Sequence, residues 1–181
     1  MSSSTGSPPF WGKYRGTVTL NVDPENRARI QVMVPDVLGP MPSSWAECSA
    51  PFSGMPGAAA GAFMVPPVGA AVWVEFEHGD PNKPIWTGGR WESTADVPPL
   101  AIAPPPIPPG QNIAIQTTLQ NLVLISDSAP TPATGGIVLK STTGAMVVVN
   151  DSGIYLNNGK GAMITLIGPT VTINNGALVV I

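Results

Sequence analysis

Few residues in this 181-residue chain have the types and spacing that chemistry needs. The one histidine, His78, stands beside Glu75, Glu77 and Asp80. Such a group suggests a metal site or a general base. With no cysteine nearby, its spacing fits no usual metal-ligand pattern, and a turn after a strand is an ordinary place for solvated charges. No Gly-x-Ser-x-Gly elbow occurs, a lone histidine limits acid-base triads, and no pair of carboxylates has an evident cleft to line as in a glycosidase. Trp73, Trp86 and Trp91 are candidate stacking platforms for single-stranded nucleic acid. A phosphate backbone also needs a basic groove, and the half of the chain holding these tryptophans carries six basic residues against nine acidic. Trp86 and Trp91 are expected instead to pack a barrel or its contact with the C-terminal module. Arg27 and Arg29 alternate with Ala28 and Ile30 and read as a solvated strand face.

Composition bounds the elements that position these residues. There are 22 Pro and 20 Gly, and 10% of the chain is charged. Pro and Gly disfavour helices by about 3 and 1 kcal/mol relative to Ala, and they are spread too evenly to leave helical windows. Hydrophobic residues make up 43%, which is too apolar for a disordered chain. An all-β fold follows. The net charge of -3 shows no footprint for nucleic acid or an anionic membrane. Cys48 is the lone cysteine, so no intrachain disulfide forms. Met1 to Pro9 has neither a basic residue nor an apolar run, unlike a secretory signal peptide. Cys48 to Val74 is free of charge, but prolines and glycines interrupt it, so it reads as a loop and a strand rather than a membrane helix.

Charge divides the chain into modules, because only Lys140, Lys160, Asp127 and Asp151 fall in the last 83 positions. The expected segments are an arm at 1–12, a barrel at 13–94, a linker at 95–110 and a repetitive module at 111–181. Seven of the sixteen linker residues are proline, which predicts an extended polyproline spacer. In the barrel, Tyr14 to Asn21 and Ala28 to Val34 predict a hairpin about the Asp23-Pro24-Glu25-Asn26 turn. Ala71 to Glu77 places Val72, Val74 and Phe76 on one face, and Pro84 to Gly88 returns after the Gly79-Asp80-Pro81-Asn82 turn. Short strands with tight turns suggest a small Greek-key barrel.

In the last module Gly136, Gly144, Gly153, Gly161, Gly168 and Gly176 recur at spacings of 8, 9, 8, 7 and 8, with one short β run in each interval. A 17-residue period pairs Val147 with Ile164, Val149 with Leu166, Ile154 with Val171 and Leu156 with Ile173. Such a repeat cannot bury its apolar face alone. Three chains about one axis would do so, with strands pairing between chains and these eight residues as the trimer core. Six or seven strands would then give a rod on the order of 30 Å long. Met146 and Met163 read as core fillers.

The motifs Gly16-Thr17-Val18, Asp23-Pro24-Glu25, Arg27 to Val32, Trp45-Ala46, Pro66-Pro67-Val68-Gly69, Val72 to Glu77 and Gly79 to Pro84, followed by a proline linker and glycine octads, are together informative. The chain resembles the central spike proteins of contractile phage tails and injection systems, namely baseplate assembly protein V and the VgrG spikes. The resemblance implies an N-terminal OB-fold barrel and a C-terminal intertwined trimeric β-helix or β-prism needle, with no enzymatic activity and no cofactor. It also implies assembly in the cytoplasm into a phage tail-like particle that punctures a target membrane in passing. The lysozyme and hub domains of some relatives are missing, as is a His-x-His metal pair, so hub and PAAR-type tip would be separate proteins. Leu178, Val179, Val180 and Ile181 are the expected tip-docking residues. An OB nucleic-acid binder with an oligomerising tail, or a β-helix enzyme, are the alternatives. The second would want hexapeptide spacing and a histidine within the repeats.

Overall fold

The computed structural model describes residues 9–102 and 112–181, and the chain divides between Glu92 and Ser93 into two compact units. No helix among the described residues is long and apolar enough to cross a membrane. In the first unit, β1 (Tyr14–Leu20), β2 (Gln31–Met33), the single turn of α1 (Pro35–Leu38), β3 (Glu47–Cys48), β4 (Ser53–Met55), β5 (Ala58–Gly61), β6 (Ala71–Phe76) and β7 (Pro84–Gly89) follow in order. Five strands form one sheet in the order β2-β1-β6-β7-β3, antiparallel except for β3 beside β7. The sheet closes through Ile30 and Ala46, which exchange backbone hydrogen bonds of 3.2 and 2.7 Å just before β2 and β3.

Alternation fills this barrel. Val72, Val74 and Phe76 point inward from β6 and meet Val18, Ile30, Val32, Val34, Ala46 and Trp86. Each such aliphatic side chain contributes about 1.5–3 kcal/mol when fully buried. Phe10, Tyr14 and Phe76 close one end as a ring cluster with centroids 5.6–6.3 Å apart. Trp86 donates its Nε1–H to the carbonyl of Ala28 at 2.9 Å, which satisfies its one polar atom inside the core. Trp91 does not join that core and is 64% exposed.

The first hairpin also differs from its prediction. Asn26 and Ala28 both adopt positive φ, so the β alternation over 28–30 breaks and only Gln31–Met33 pairs as strand. Arg29 therefore does not lie on a solvated face. Its side chain folds back onto Asp23, with Nη2 at 2.7 Å and Nε at 3.1 Å from Oδ1, and Trp45 lies against the guanidinium, 5.6 Å away. Asp23 also accepts hydrogen bonds from the backbone N–H groups of Glu25, Arg27 and Arg29. One carboxylate thus organises a loop that has no ladder of its own.

In the second unit a 3₁₀ turn at Thr94–Asp96, capped reciprocally by Ser93, precedes the single helical turn α2 (Pro99–Ile102). The described part of the proline-rich stretch is thus turned rather than extended, because Ser93 and Asp96 supply capping chemistry and Leu100 has an apolar surface to cover. The rest of that stretch, 103–110, and most of the N-terminal arm, 1–8, lie outside the described residues. Eight strands follow: β8 (Asn112–Gln116), β9 (Leu122–Thr131), β10 (Thr134–Lys140), β11 (Met146–Asn150), β12 (Gly153–Asn157), β13 (Met163–Ile167), β14 (Thr170–Ile173) and β15 (Leu178–Val180). They form one antiparallel meander in chain order. The expected pairing between chains is corrected here: each strand bonds to its neighbours in the same chain, because the glycine turns are short enough to make hairpins. Gly136 lies within β10 where its register with β9 shifts, and it needs to be glycine, since its φ is +69° and a Cβ would press into the Val149 carbonyl oxygen.

Asp23 generates a test. The Arg29 guanidinium is the main cause holding its carboxyl well below the ordinary range; burial opposes this, and the three backbone donors reinforce it. A depressed folded pKa stabilises above the unfolded value of about 3.9, and that contribution is lost as pH falls from there toward the folded value. Asp23→Asn is expected to lower the melting temperature at pH 7 more than removal of the exposed Lys13–Glu75 pair. It should also flatten the fall in stability below about pH 4. Thermal melts from pH 7 to pH 2 check both outcomes.

Candidate functional site

Registration of the meander stacks side chains of one kind. One column runs Ile113, Ile125, Ile137, Val149, Ile154, Leu166, Val171, Val180, each the cross-strand partner of the next. Beside it runs Ile115, Val123, Leu139, Val147, Leu156, Ile164, Ile173, Leu178. Period-two geometry puts both columns on one face of the sheet. Every position is Ile, Leu or Val, and none is buried in the single chain. A groove of about 910 Å³ follows the second column, with Ile115, Leu139, Leu156, Ile164 and Ile173 in its walls. An apolar surface this continuous marks an interface rather than a solvated face.

The opposite face is used differently along its length. On β9 to β12 it carries Leu122, Leu124, Val138, Val148 and Tyr155, which bury one another beneath Leu100, Ala114 and Met146. On β13 and β14 it presents the half-buried Thr165 and Thr172. The sheet therefore has a small core of its own near α2 and becomes one-sided toward β15.

Asparagines in the turns hold the register that builds the columns. Asn150 donates Nδ2–H to the carbonyls of Thr131 and Thr134 at 2.8 and 3.1 Å, while its Oδ1 accepts from Ser152. Asn158 accepts from the N–H groups of Lys160 and Ala162, and Asn174 accepts from that of Met163 at 3.1 Å. A one-residue slip would turn the aliphatic columns to the other face. These side chains raise the cost of such a slip.

All eight candidate axis residues, Val147, Val149, Ile154, Leu156, Ile164, Leu166, Val171 and Ile173, sit in the middle of the two columns. The candidate tip residues separate: Leu178 and Val180 end the columns, Val179 faces the other way, and Ile181 is 96% exposed beyond β15. Sequence reasoning missed the columns' first two strands, β8 and β9, and found the run that holds Ile137 and Leu139 without naming these two as axis residues. The signal was present as alternation at Ile113/Ile115 and Val123/Ile125, but it lacks the glycine octads that drew attention to the later strands.

The barrel's chemical candidates do not converge. The His78 side chain is 85% exposed, 3.8 Å from Glu77, and occupies a left-handed turn position. No group of three potential metal ligands occurs among the described residues. The Cys48 thiol is pushed up by burial, with Glu47 adding to the effect, the opposite of an activated nucleophile. Cations face carboxylates: Lys13 meets Glu75 at 2.7 Å, Arg27 meets Glu25 and Glu47 at 3.0 and 2.9 Å, Arg90 meets Glu92 at 2.6 Å and Lys83 meets Glu77 at 4.0 Å. Trp73 lies under Arg90 at 5.8 Å.

Comparison with known families agrees with this division. Residues 14–91 match the model of the type VI secretion system/phage-baseplate injector OB domain. Residues 112–179 match that of the phage baseplate V C-terminal trimerisation domain. No curated protein matches the chain significantly.

An OB domain raises the question of nucleic-acid binding, and the paired cations argue against it. A single-stranded oligonucleotide at low salt, where phosphate contacts are strongest, is expected to leave the protein's electrophoretic mobility unchanged. A salt-sensitive shift would contradict this.

Proposed function

Because the chain belongs to the phage baseplate V family of baseplate spike proteins, we propose that it is the non-enzymatic puncturing spike of a contractile tail or injection system. In this reading three copies bring their aliphatic columns together about a common axis. The barrel unit seats on a separate hub protein in the baseplate. The end of the sheet at β15 carries a separate PAAR-type tip, and the needle transmits force through that tip into the target envelope. Assembly precedes any contact with the target and takes place in the cytoplasm of the producing cell.

The observation that carries this reading is the pair of columns. An aliphatic side chain moved from water into an apolar core contributes about 1.5–3 kcal/mol, and each chain offers sixteen partly hydrated positions in unbroken register. Three one-sided sheets facing inward remove them from water together. The columns contain no charge, so no buried ion must be paired at the axis. The mechanism is mechanical and needs no reacting group. Backbone ladders within each chain resist separation of strands, and aliphatic contacts between chains resist separation of sheets.

The tip contact is supported by geometry at β15. Leu178 and Val180 continue the columns, while the outer edge of β15 has no partner strand among the described residues. A partner with an apolar underside and a free strand edge would cover both features.

Light scattering is expected to give three times the chain mass of 18.6 kDa. Ile164→Asp should convert the trimer to smaller species, whereas Thr165→Asp, one residue away on the opposite face, should leave it intact. A monomeric wild-type protein would falsify the spike reading. Leu178→Ser combined with Val180→Ser is expected to weaken capture of a PAAR-type tip protein at least tenfold while the mass stays trimeric. Unchanged capture would remove the tip assignment alone.

A further inference from the structure

The barrel has one element that its core does not use. The stretch between Glu47 and Glu75 contains no charge, and within it β4 and β5 form a two-stranded sheet of their own. Every residue from Pro51 to Gly61 is exposed. Phe52, Met55, Phe63 and Met64 present large apolar side chains to solvent, and none of them joins the barrel's cluster of buried side chains. A lone two-stranded ribbon is at best marginally stable in water and needs further strands or an apolar partner.

The same chain carries a trimerisation domain, so each ribbon is tethered to two identical ones. Tethering of this kind gives an effective concentration on the order of millimolar. The ribbon suits its own copy in three respects. It has no charge, so identical strands approach without repulsion. Gly54, Gly57, Ala58, Ala59, Ala60 and Gly61 let backbones come close. Both of its outer edges lack partner strands among the described residues and are open to edge-to-edge pairing.

We propose that the β4–β5 ribbon is a second self-association site, at which the ribbons of the three copies pair edge to edge and cover Phe52, Met55 and Phe63. The occupant is a second copy of this chain, in a head-to-tail contact that closes after three subunits. A copy is present at fixed stoichiometry in every assembly, and pairing supplies the third strand that the isolated ribbon lacks. The inference rests on the trimer proposed above and extends it into the barrel unit.

Disulfide trapping tests it on the full chain. With the native thiol removed by Cys48→Ser in every chain, chains carrying Ser53→Cys on β4 are co-assembled with chains carrying Ala59→Cys on β5, and in a control sample with chains carrying Asp36→Cys on α1, exposed in the same barrel. Each mixture is first shown to be trimeric by light scattering and then mildly oxidised. A disulfide requires Cα atoms within about 7 Å, which a β5 edge beside a neighbour's β4 edge meets, so the Ser53→Cys and Ala59→Cys mixture is expected to give covalent dimers at least tenfold faster than the Ser53→Cys and Asp36→Cys mixture. Equal rates, or no dimer from a trimeric sample, overturn the ribbon contact and leave the trimer standing. A monomeric sample removes the reading beneath it. Met55→Lys without added cysteine should lower the trimer's melting temperature, whereas an unchanged melt counts against the ribbon contact.

Discussion

Two columns of Ile, Leu and Val, each eight positions deep on one sheet face, are the constraint from which the second unit follows. They impose strict period-two alternation on eight consecutive strands, since a one-residue slip would carry a strand's column residues to the opposite face. They require the turns to return each strand in register, and positive-φ glycines with asparagine side chains do so at the corners. They also leave an apolar surface that one chain cannot cover. The backbone ladders satisfy themselves within the chain, so the demand for partners comes from side chains alone. That separation lets each chain form its own hydrogen bonds before association and lets association be driven by dry aliphatic contact.

The barrel answers a different problem. It is small, and a short β2 and a two-residue β3 close it, so loops must hold much of its shape. The Asp23–Arg29 pair is central to this. With three backbone N–H groups and a guanidinium converging on it, the carboxylate holds the loop that joins β1 to β2, which has no ladder of its own. Trp45 covers the guanidinium, and Trp86 reaches the Ala28 carbonyl from the core. Desolvating one charge is costly unless its remaining acceptor sites are filled, and here backbone donors fill them. The barrel's surface instead carries exposed ion pairs, each of little energetic weight, which do not shape it.

Much of this was legible in the sequence because it depends on local periodicity. Val72, Val74 and Phe76 announced an inward face, Gly79 to Asn82 announced the return of β7, and the 17-residue period pointed to the column positions. What was not legible depends on long-range geometry. Arg29 alternates with its neighbours like a surface residue, and only the positive φ of Asn26 and Ala28 turns it inward. Trp91 resembles a core residue by type yet lies at the end of the barrel unit, past the last strand that could cover it. Strand pairing within rather than between chains followed from hairpin closure, which a repeat length alone does not distinguish from winding about an axis. Prolines at 98 and 99 suggested extension, whereas Pro at the start of a helical turn is equally favourable when a capping box precedes it.

The scarcity of charge in the needle unit has a mechanical consequence within the proposed role. An antiparallel meander transmits load between strands through backbone hydrogen bonds at a spacing of about 4.8 Å, so eight strands span on the order of 35 Å. Load along that direction falls on many bonds in parallel at each level, and each level is covalently tied to the next by a short turn. A charged side chain in a column would need a partner or water, and either would open a gap in the packing. Filling every column position with a branched aliphatic side chain keeps the contact between sheets close-packed and therefore poorly compressible. The composition that makes the isolated chain a poor monomer is the one that a stiff shared axis requires.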